Sequence, residues 1–236
     1  MHGVLRRMMD LGRLALMGRV GPVWRAFWNR LYSNHTSIGF RRDLTVLFAA
    51  PLAFQPLDVR ALERGDDLSC LEVETPGLTD QQVFERMTQR RIVESGLRTC
   101  YIAVSSDGMP CYMQWLILAS NNELVRTTFG NLYPRLESDE ALLEGAYTPE
   151  AYRGKGIMAS AMARIAARAA DSGVRWVITF VDESYAPAQK GCARSGFRPY
   201  LRRVETYRLF RRNVEFVPLR QLGEIPQGQR AIDGAS

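Results

Sequence analysis

Tyr147-Thr148-Pro149-Glu150-Ala151-Tyr152-Arg153-Gly154-Lys155-Gly156-Ile157 is the stretch that decides how this chain reads. A two-glycine turn carrying Arg153 and Lys155 opens directly into an alanine-rich helix, Met158-Ala159-Ser160-Ala161-Met162-Ala163-Arg164-Ile165-Ala166-Ala167-Arg168. The first N–H groups of a helix have no partner inside it, and the helix dipole adds positive potential at that end. Glycines let the backbone approach an anion closely, and two neighbouring cations strengthen the attraction. The stretch therefore predicts a phosphate site.

Working outward, residues 140–148 read as a strand that leads into the turn. Ile157, Ala161, Met162 and Ile165 share one face of the helix, which stops at Ser172-Gly173. Residues 175–181 form a strand rich in β-branched and aromatic side chains. A short helix follows, with Pro187 in its first turn and Gly196 just past its end. Residues 201–210 and 213–217 read as a closing antiparallel pair. Upstream, 57–62 starts an alternating segment, and Thr79-Asp80-Gln81-Gln82 has the capping-box pattern for a helix carried by Val83, Phe84, Met87 and Ile92 and ended by Gly96. Strands at 99–104 and 111–119 flank Asp107-Gly108, a hairpin signal. Residues 121–140 carry no decodable pattern, and 221–236 read as a loose polar tail.

A length of 236 residues allows one substantial core, or a core plus an appendage. With 46% apolar and 24% charged residues, the composition is that of a soluble globular protein. Cys70, Cys100, Cys111 and Cys192 form no Cys-x-x-Cys pair, and no convincing secretion signal precedes them. They read as reduced thiols in a cytoplasmic protein. Only His2 and His35 exist, so a histidine metal site is not expected and a general base must be a carboxylate or a water. No apolar run reaches the ~18–20 residues that span a bilayer.

Charge is unevenly placed. Residues 1–42 hold eight arginines against Asp10 alone, a formal +7, while the whole chain carries +6. The basic character thus belongs to an arm, not to the body. Residues 4–31 read as a basic amphipathic helix broken near Gly21-Pro22, with Trp24, Phe27, Trp28 and Leu31 on one face. Those aromatics need cover. Packing on the body or a homodimer through residues 1–42 is the first reading, contact with an anionic membrane surface the second, and nucleic acid the weakest, because no recognised motif accompanies the arginines.

The order strand, Tyr152-Arg153-Gly154-Lys155-Gly156-Ile157, helix, strand, short helix, and Ala188-Gln189-Lys190-Gly191-Cys192-Ala193-Arg194-Ser195-Gly196-Phe197 resembles the GNAT superfamily of acyl-CoA-dependent N-acetyltransferases. The resemblance is firm over about 142–200 and extends by element order over about 56–218. It implies a mixed α/β fold, with a central, mostly antiparallel twisted sheet, helices on both faces and an N-terminal amphipathic helical extension. The organisation expected is an extension at 1–42, an acyltransferase domain at 43–220 and a tail at 221–236.

The resemblance further implies acetyl-CoA, or another acyl-CoA, as co-substrate, an amine as acceptor, and no metal. The pantetheine would fit where the strand ending at Tyr147-Thr148 splays from the strand at 176–181, with Ala146, Tyr147, Thr148, Arg153, Gly154, Lys155, Gly156, Ile157, Met158 and Tyr185 around the cofactor. Three positions depart from the family: Ala151 where Gln or Arg is common, Tyr185 where Asn is frequent, and Cys192 at the usual acid tyrosine. The alternative within enzymes is a longer acyl chain, from acyl-CoA or an acyl carrier protein, and the three departures keep open a non-catalytic acyl-CoA-binding domain.

Competing readings accompany each candidate. Gly154-x-Gly156-x-x-Ala159 also satisfies a dinucleotide fingerprint, but Thr148-Pro149-Glu150 separates it from its strand and no acid sits ~20 positions beyond. Glu144, a carboxylate inside an apolar strand, reads equally as a general base or a structural acceptor, with Glu140 on the same face as substitute. Cys192 can donate a proton to the leaving thiolate, and reads first as a small buried hydrophobe, with water as acid. Trp115 and Gln114 read as core and sheet residues that can also line an acceptor pocket.

Overall fold

The structure, a computed structural model, describes residues 20–97 and 99–219. The first half of the expected N-terminal helix and the tail at 221–236 lie outside the described residues. In chain order the elements are α1 (Val20–Leu31), β1 (Tyr32–Asp43), β2 (Asp58–Ala61), α2 (Asp80–Glu94), β3 (Cys100–Val104), β4 (Pro110–Leu118), α3 (Asn122–Phe129) and β5 (Glu140–Tyr147). They continue with α4 (Ile157–Arg168), β6 (Trp176–Asp182), α5 (Ala186–Arg194), β7 (Arg198–Arg208) and β8 (Arg211–Pro218).

Local chemistry explains most of these boundaries. Thr79 caps α2 through the reciprocal exchange with Gln82 that the sequence predicts. The β3–β4 hairpin turns at Gly108, with Ser105 N–H donating to the Met109 carbonyl. Pro187 sits in the first turn of α5, where its missing N–H costs nothing.

One eight-stranded sheet runs in the order β2-β3-β4-β5-β6-β1-β7-β8. All neighbours are antiparallel except β5 and β6. Apolar side chains alternate across its two faces, as the strand period requires. Ile157, Met162 and Ile165 of α4 pack with Leu116, Leu143 and Val177 on one face. On the other, Ile92 of α2 and Val125 of α3 pack with Ile102, Trp115, Ile117 and Leu142. Helices therefore cover both faces, as expected.

The arm expected at 1–42 requires correction. Its last residues form β1, paired with β6 along Ser37–Asp43 and with β7 along Tyr32–Arg41, in the interior of the sheet. The buried positions of β1 are Ser37, Gly39, Phe40 and Arg42, so no apolar alternation announced a central strand. Arg42 is itself buried and donates to the Ala163 and Ser195 carbonyls at 3.0 and 3.3 Å. Arg41 lies over the rings of Trp176 and Tyr200. Arg42 thus ties the sheet to its helices, and Arg41 spans side chains of β6 and β7 within the sheet.

Candidate active site

A cleft of about 500 Å³ lies between the end of β5, the glycine turn and the N-termini of α4 and α5. Its walls include Ala146, Tyr147 and Thr148 from β5 and the residues after it, and Arg153, Gly154, Gly156, Ile157 and Met158 from the turn and α4. Tyr185, half-exposed at the start of α5, completes the opposite wall. Nine of the ten residues expected around the cofactor therefore come together. Lys155 does not line the cleft; its ammonium sits 5.3 Å from the centre of the Tyr152 ring.

The turn is built for close approach. Gly154 and Gly156 hold φ of 79° and 73°, a region costly for any residue with a Cβ. Gly156 is the cap of α4, and no side chain caps the helix there. The N–H groups of the first turn of α4 consequently have neither an intrahelical nor a side-chain acceptor, and they border the cleft. An anion would satisfy them.

The turn's own arginine is committed elsewhere. Arg153 forms an ion pair with Glu85 of α2 at 2.8 Å, and its Nε donates to the Thr148 carbonyl at 2.9 Å. It braces the turn against α2. Lys190 and Arg194, one helical turn apart on α5, also border the cleft and form no ion pair with a carboxylate among the described residues. Sequence reasoning overlooked this pair. The available signal was their i, i+4 spacing on a helix that begins beside the turn.

β5 carries the second feature of the site. It pairs with β6 only at Glu140, Ala141 and Leu142, and past that point the two strands diverge. On the other edge, Trp115 of β4 faces Glu144 and Met113 faces Tyr147, so two residues of β5, Gly145 and Ala146, stand opposite Gln114. That is a bulge. Gly145 holds φ of 67°, and a Cβ there would lie 2.7 Å from Trp115 Cε3. Only glycine fits. The bulge bends β5 and leaves the β6-side polar groups beyond Leu142 without a strand partner.

Glu144 lies immediately before the bulge, half-buried, two residues from the cleft wall at Ala146. Desolvation holds its carboxyl above the ordinary carboxylate range, against a hydrogen bond from Tyr133 and the charge of Arg203, which favour ionisation. Arg203, buried on β7, donates to Ser37 Oγ at 2.9 Å and to the Leu132 carbonyl at 3.3 Å. Its guanidinium stands 5.5 Å from the Tyr133 ring centre and 4.9 Å from that of Phe180. Tyr133 reaches this place because Asn122 clamps the following loop, exchanging hydrogen bonds with Leu136 N–H and C=O, both at 2.9 Å. Neither Tyr133 nor Arg203 had a sequence signal, since they come from a loop without pattern and a distant strand.

The alternative carboxylate, Glu140, accepts from the Glu137 N–H and sits where β5 is still paired to β6. Cys192 requires correction as a proton donor. It is fully buried among Leu143, Met162 and Phe197 and does not line the cleft, and burial pushes its thiol up to about 12. The helix turns that position into the core. Trp115 is likewise a core residue, its indole donating to the Leu97 carbonyl at 3.2 Å. Gln114 is fully buried and accepts from the Tyr112 hydroxyl at 2.8 Å. Among the described residues no group of His, Cys, Asp or Glu could hold a metal ion, and no helix is long and apolar enough to cross a membrane.

Residues 84–197, which hold the cleft, the bulge and Glu144, match the model of the Acetyltransferase (GNAT) family. No curated protein matches the chain. Among solved structures, it is similar to the glucosamine N-acetyltransferase region of a fungal multi-domain GH3 beta-N-acetylglucosaminidase, at 13% identity and a TM-score of 0.53, over 85% of this chain and 23% of that one. A GCN5-related N-acetyltransferase from Sphaerobacter thermophilus is 17% identical with a TM-score of 0.47, over 81% of this chain and 56% of that one. A GNAT-family acetyltransferase from Colwellia psychrerythraea is 14% identical with a TM-score of 0.49, over 79% and 61%. The chain thus spans 56% and 61% of the length of these two proteins. At such identities the likeness concerns fold alone.

Proposed function

We propose, for a chain whose residues 84–197 form a GNAT acetyltransferase domain, the transfer of an acyl group, acetyl first, from acyl-CoA to an amine. The observation that carries this reading is the uncapped N-terminus of α4 at a left-handed glycine turn, opening on a cleft beside two diverging strands. The first-turn N–H groups with Lys190 and Arg194 suit the pyrophosphate of coenzyme A. The unpaired β6-side edge of β5 suits an extended pantetheine, which would run along it as an added strand does. A backbone N–H at the bulge would polarise the acyl carbonyl, where fixed donors are most effective.

Glu144 is the base in this reading. Its carboxyl stands next to the bulge and is raised by burial above the ordinary carboxylate range, against the influence of Tyr133 and Arg203. It removes a proton from the acceptor amine, directly or through one water, as the amine attacks the acyl carbon. The thiolate leaves with a proton taken from water.

Release of free thiol from acetyl-CoA in the presence of an amine panel tests the activity. No release with acetyl, butyryl or longer acyl-CoA, despite measurable binding, would turn the reading toward a non-catalytic acyl-CoA-binding domain. Faster release with longer chains would instead replace acetyl as the group transferred. For the base, Glu144→Gln should lower turnover about 10²–10⁴-fold with little change in acetyl-CoA affinity. In the parent, activity should fall below the raised Glu144 pKa as the carboxylate protonates. That acid limb should disappear in the variant. An unchanged pH–rate profile would remove Glu144 from the mechanism.

A further inference from the structure

At the edge of the sheet formed by β1, β7 and β8, where these strands run on past the end of β6, the surface changes character. α1 ends against the tip of the β7–β8 hairpin: Leu209 N–H donates to the Leu31 carbonyl and Phe210 N–H to the Arg30 carbonyl, both at 2.8 Å. Helix terminus and hairpin tip are therefore one unit. Phe27 bridges them by edge-on ring contacts, with centroids 5.4 Å from Phe210, 6.1 Å from Trp24 and 5.9 Å from Trp28. This packing covers little of the apolar surface. Leu209 is 75% exposed, Trp24 60% and Trp28 57%, with Tyr32 and Phe210 also exposed.

The hairpin tip breaks a local rule to present these side chains. Leu209 and Phe210 both have positive φ, 48° and 65°, the conformation of a two-residue turn that Asn-Gly fits and that bulky residues adopt only at a cost. Strain of this kind persists where surrounding structure and a task require it. Here it holds a leucine and a phenylalanine exposed at the tip of the hairpin.

The rim is cationic. Arg30, Arg208 and Arg211 stand next to the apolar residues in the chain, with Arg208 3.9 Å from the Tyr32 ring centre. Neither 20–42 nor 206–214 contains an Asp or Glu. Among the described residues no carboxylate forms an ion pair with these three arginines. Apolar apex, aromatic belt and cationic rim together define what the surface fits.

We propose that α1 and the β7–β8 tip form an interfacial anchor that seats this protein on an anionic lipid surface. Indole and phenyl rings enter the headgroup–acyl boundary, Leu209 and Phe210 at the apex, while the arginines meet lipid phosphates. A second copy is the poorer occupant. A two-fold contact would place this patch on itself, arginine rim against arginine rim, with no acidic group to offset the repulsion. A nucleic acid would match the charge but leave the aliphatic apex without a partner.

The test uses the full chain and vesicles of phosphatidylcholine alone or with phosphatidylglycerol. Co-sedimentation should occur with the anionic vesicles, weaken as salt rises, and be absent with the neutral ones. Leu209→Asn with Phe210→Gly relieves the turn and removes the apex. This double variant should keep or raise the melting temperature and lose at least tenfold in vesicle affinity. Trp24→Gln with Trp28→Gln, which leaves the hairpin intact, should give a similar loss. Absence of binding by the parent, equal binding to neutral vesicles, or unchanged binding by both variants would each overturn the proposal. A solution dimer dissociated by the tip variant would replace lipid with a second copy. Duplex binding abolished by the same variant, without vesicle binding, would replace it with nucleic acid.

Discussion

Of the places where the described residues enter the left-handed region, two do it by opposite means. In and beside the cleft the residues are Gly145, Gly154 and Gly156, which accept that conformation at little cost. At the β7–β8 tip the residues are Leu209 and Phe210, which do not. The first case obeys the local rule, and the turn could be read from the chain without a structure. The second violates it, and nothing in Arg208-Leu209-Phe210-Arg211 marks a two-residue turn. Where sequence and backbone agree, geometry is the purpose. Where they disagree, the side chains are.

The comparison breaks first at Gly145. Alanine there combines a left-handed φ with a Cβ 2.7 Å from Trp115, whose ring is fully buried and fixed by its hydrogen bond to Leu97. Gly145→Ala should cost about 2–5 kcal/mol of stability in urea unfolding, from backbone strain plus overpacking. A loss under about 1 kcal/mol would mean the bulge can relax and is not what bends β5.

Gly156 sharpens the contrast, because it is demanding in conformation but not in space. A Cβ there would meet the Leu52 carbonyl oxygen at 3.6 Å, an ordinary contact. Gly156→Glu should cost only about 1–2 kcal/mol of folding stability while placing a negative charge before the first turn of α4. Acetyl-CoA affinity should fall beyond the reach of calorimetry. A folded variant with parental affinity would move the phosphate site elsewhere.

The smallest effect is expected at Cys192, a residue on neither side of the comparison. Cys192→Ala should lose about 1 kcal/mol and keep turnover within a few-fold, since a core thiol is replaced by a slightly smaller group. A fall beyond ~100-fold would return the thiol to the proton inventory. Glu144 adds a pH test of stability. Its folded pKa is raised by desolvation, so its contribution to stability is fullest below the ordinary carboxylate value and declines as pH climbs through the raised value. Glu144→Gln should therefore gain on the parent in melting temperature between acid and neutral pH.

What could be read in advance was what neighbours in sequence determine. The Thr79–Gln82 capping box, the Asp107-Gly108 hairpin and the Gly154–Gly156 turn each need only a few consecutive residues. β1 could not be read that way. Its buried positions hold serine, glycine and arginine because its neighbours in space, not its own hydrophobicity, make it a strand. The group around Glu144 was invisible for the same reason. Asn122 must fix a loop, and Arg203 must pair with Ser37 on the neighbouring β1, before Tyr133 and the carboxylate come together. Arg153 was legible as a cation at the turn, but its capture by Glu85 depends on where α2 packs.

The position of β1 also sets an order of events during synthesis. This strand precedes β6 by more than a hundred residues yet lies between β6 and β7. At translation rates of about 5–20 residues per second, it leaves the ribosome on the order of ten seconds before either neighbour exists. Throughout that interval its ladder groups have no pairing strand, and Arg42 lacks the helix carbonyl at Ala163 that later accepts from it. Its polar composition then becomes an asset. A nascent strand made of Ser, Asn, His, Thr and Arg stays hydrated and resists pairing with other chains until the sheet closes around it.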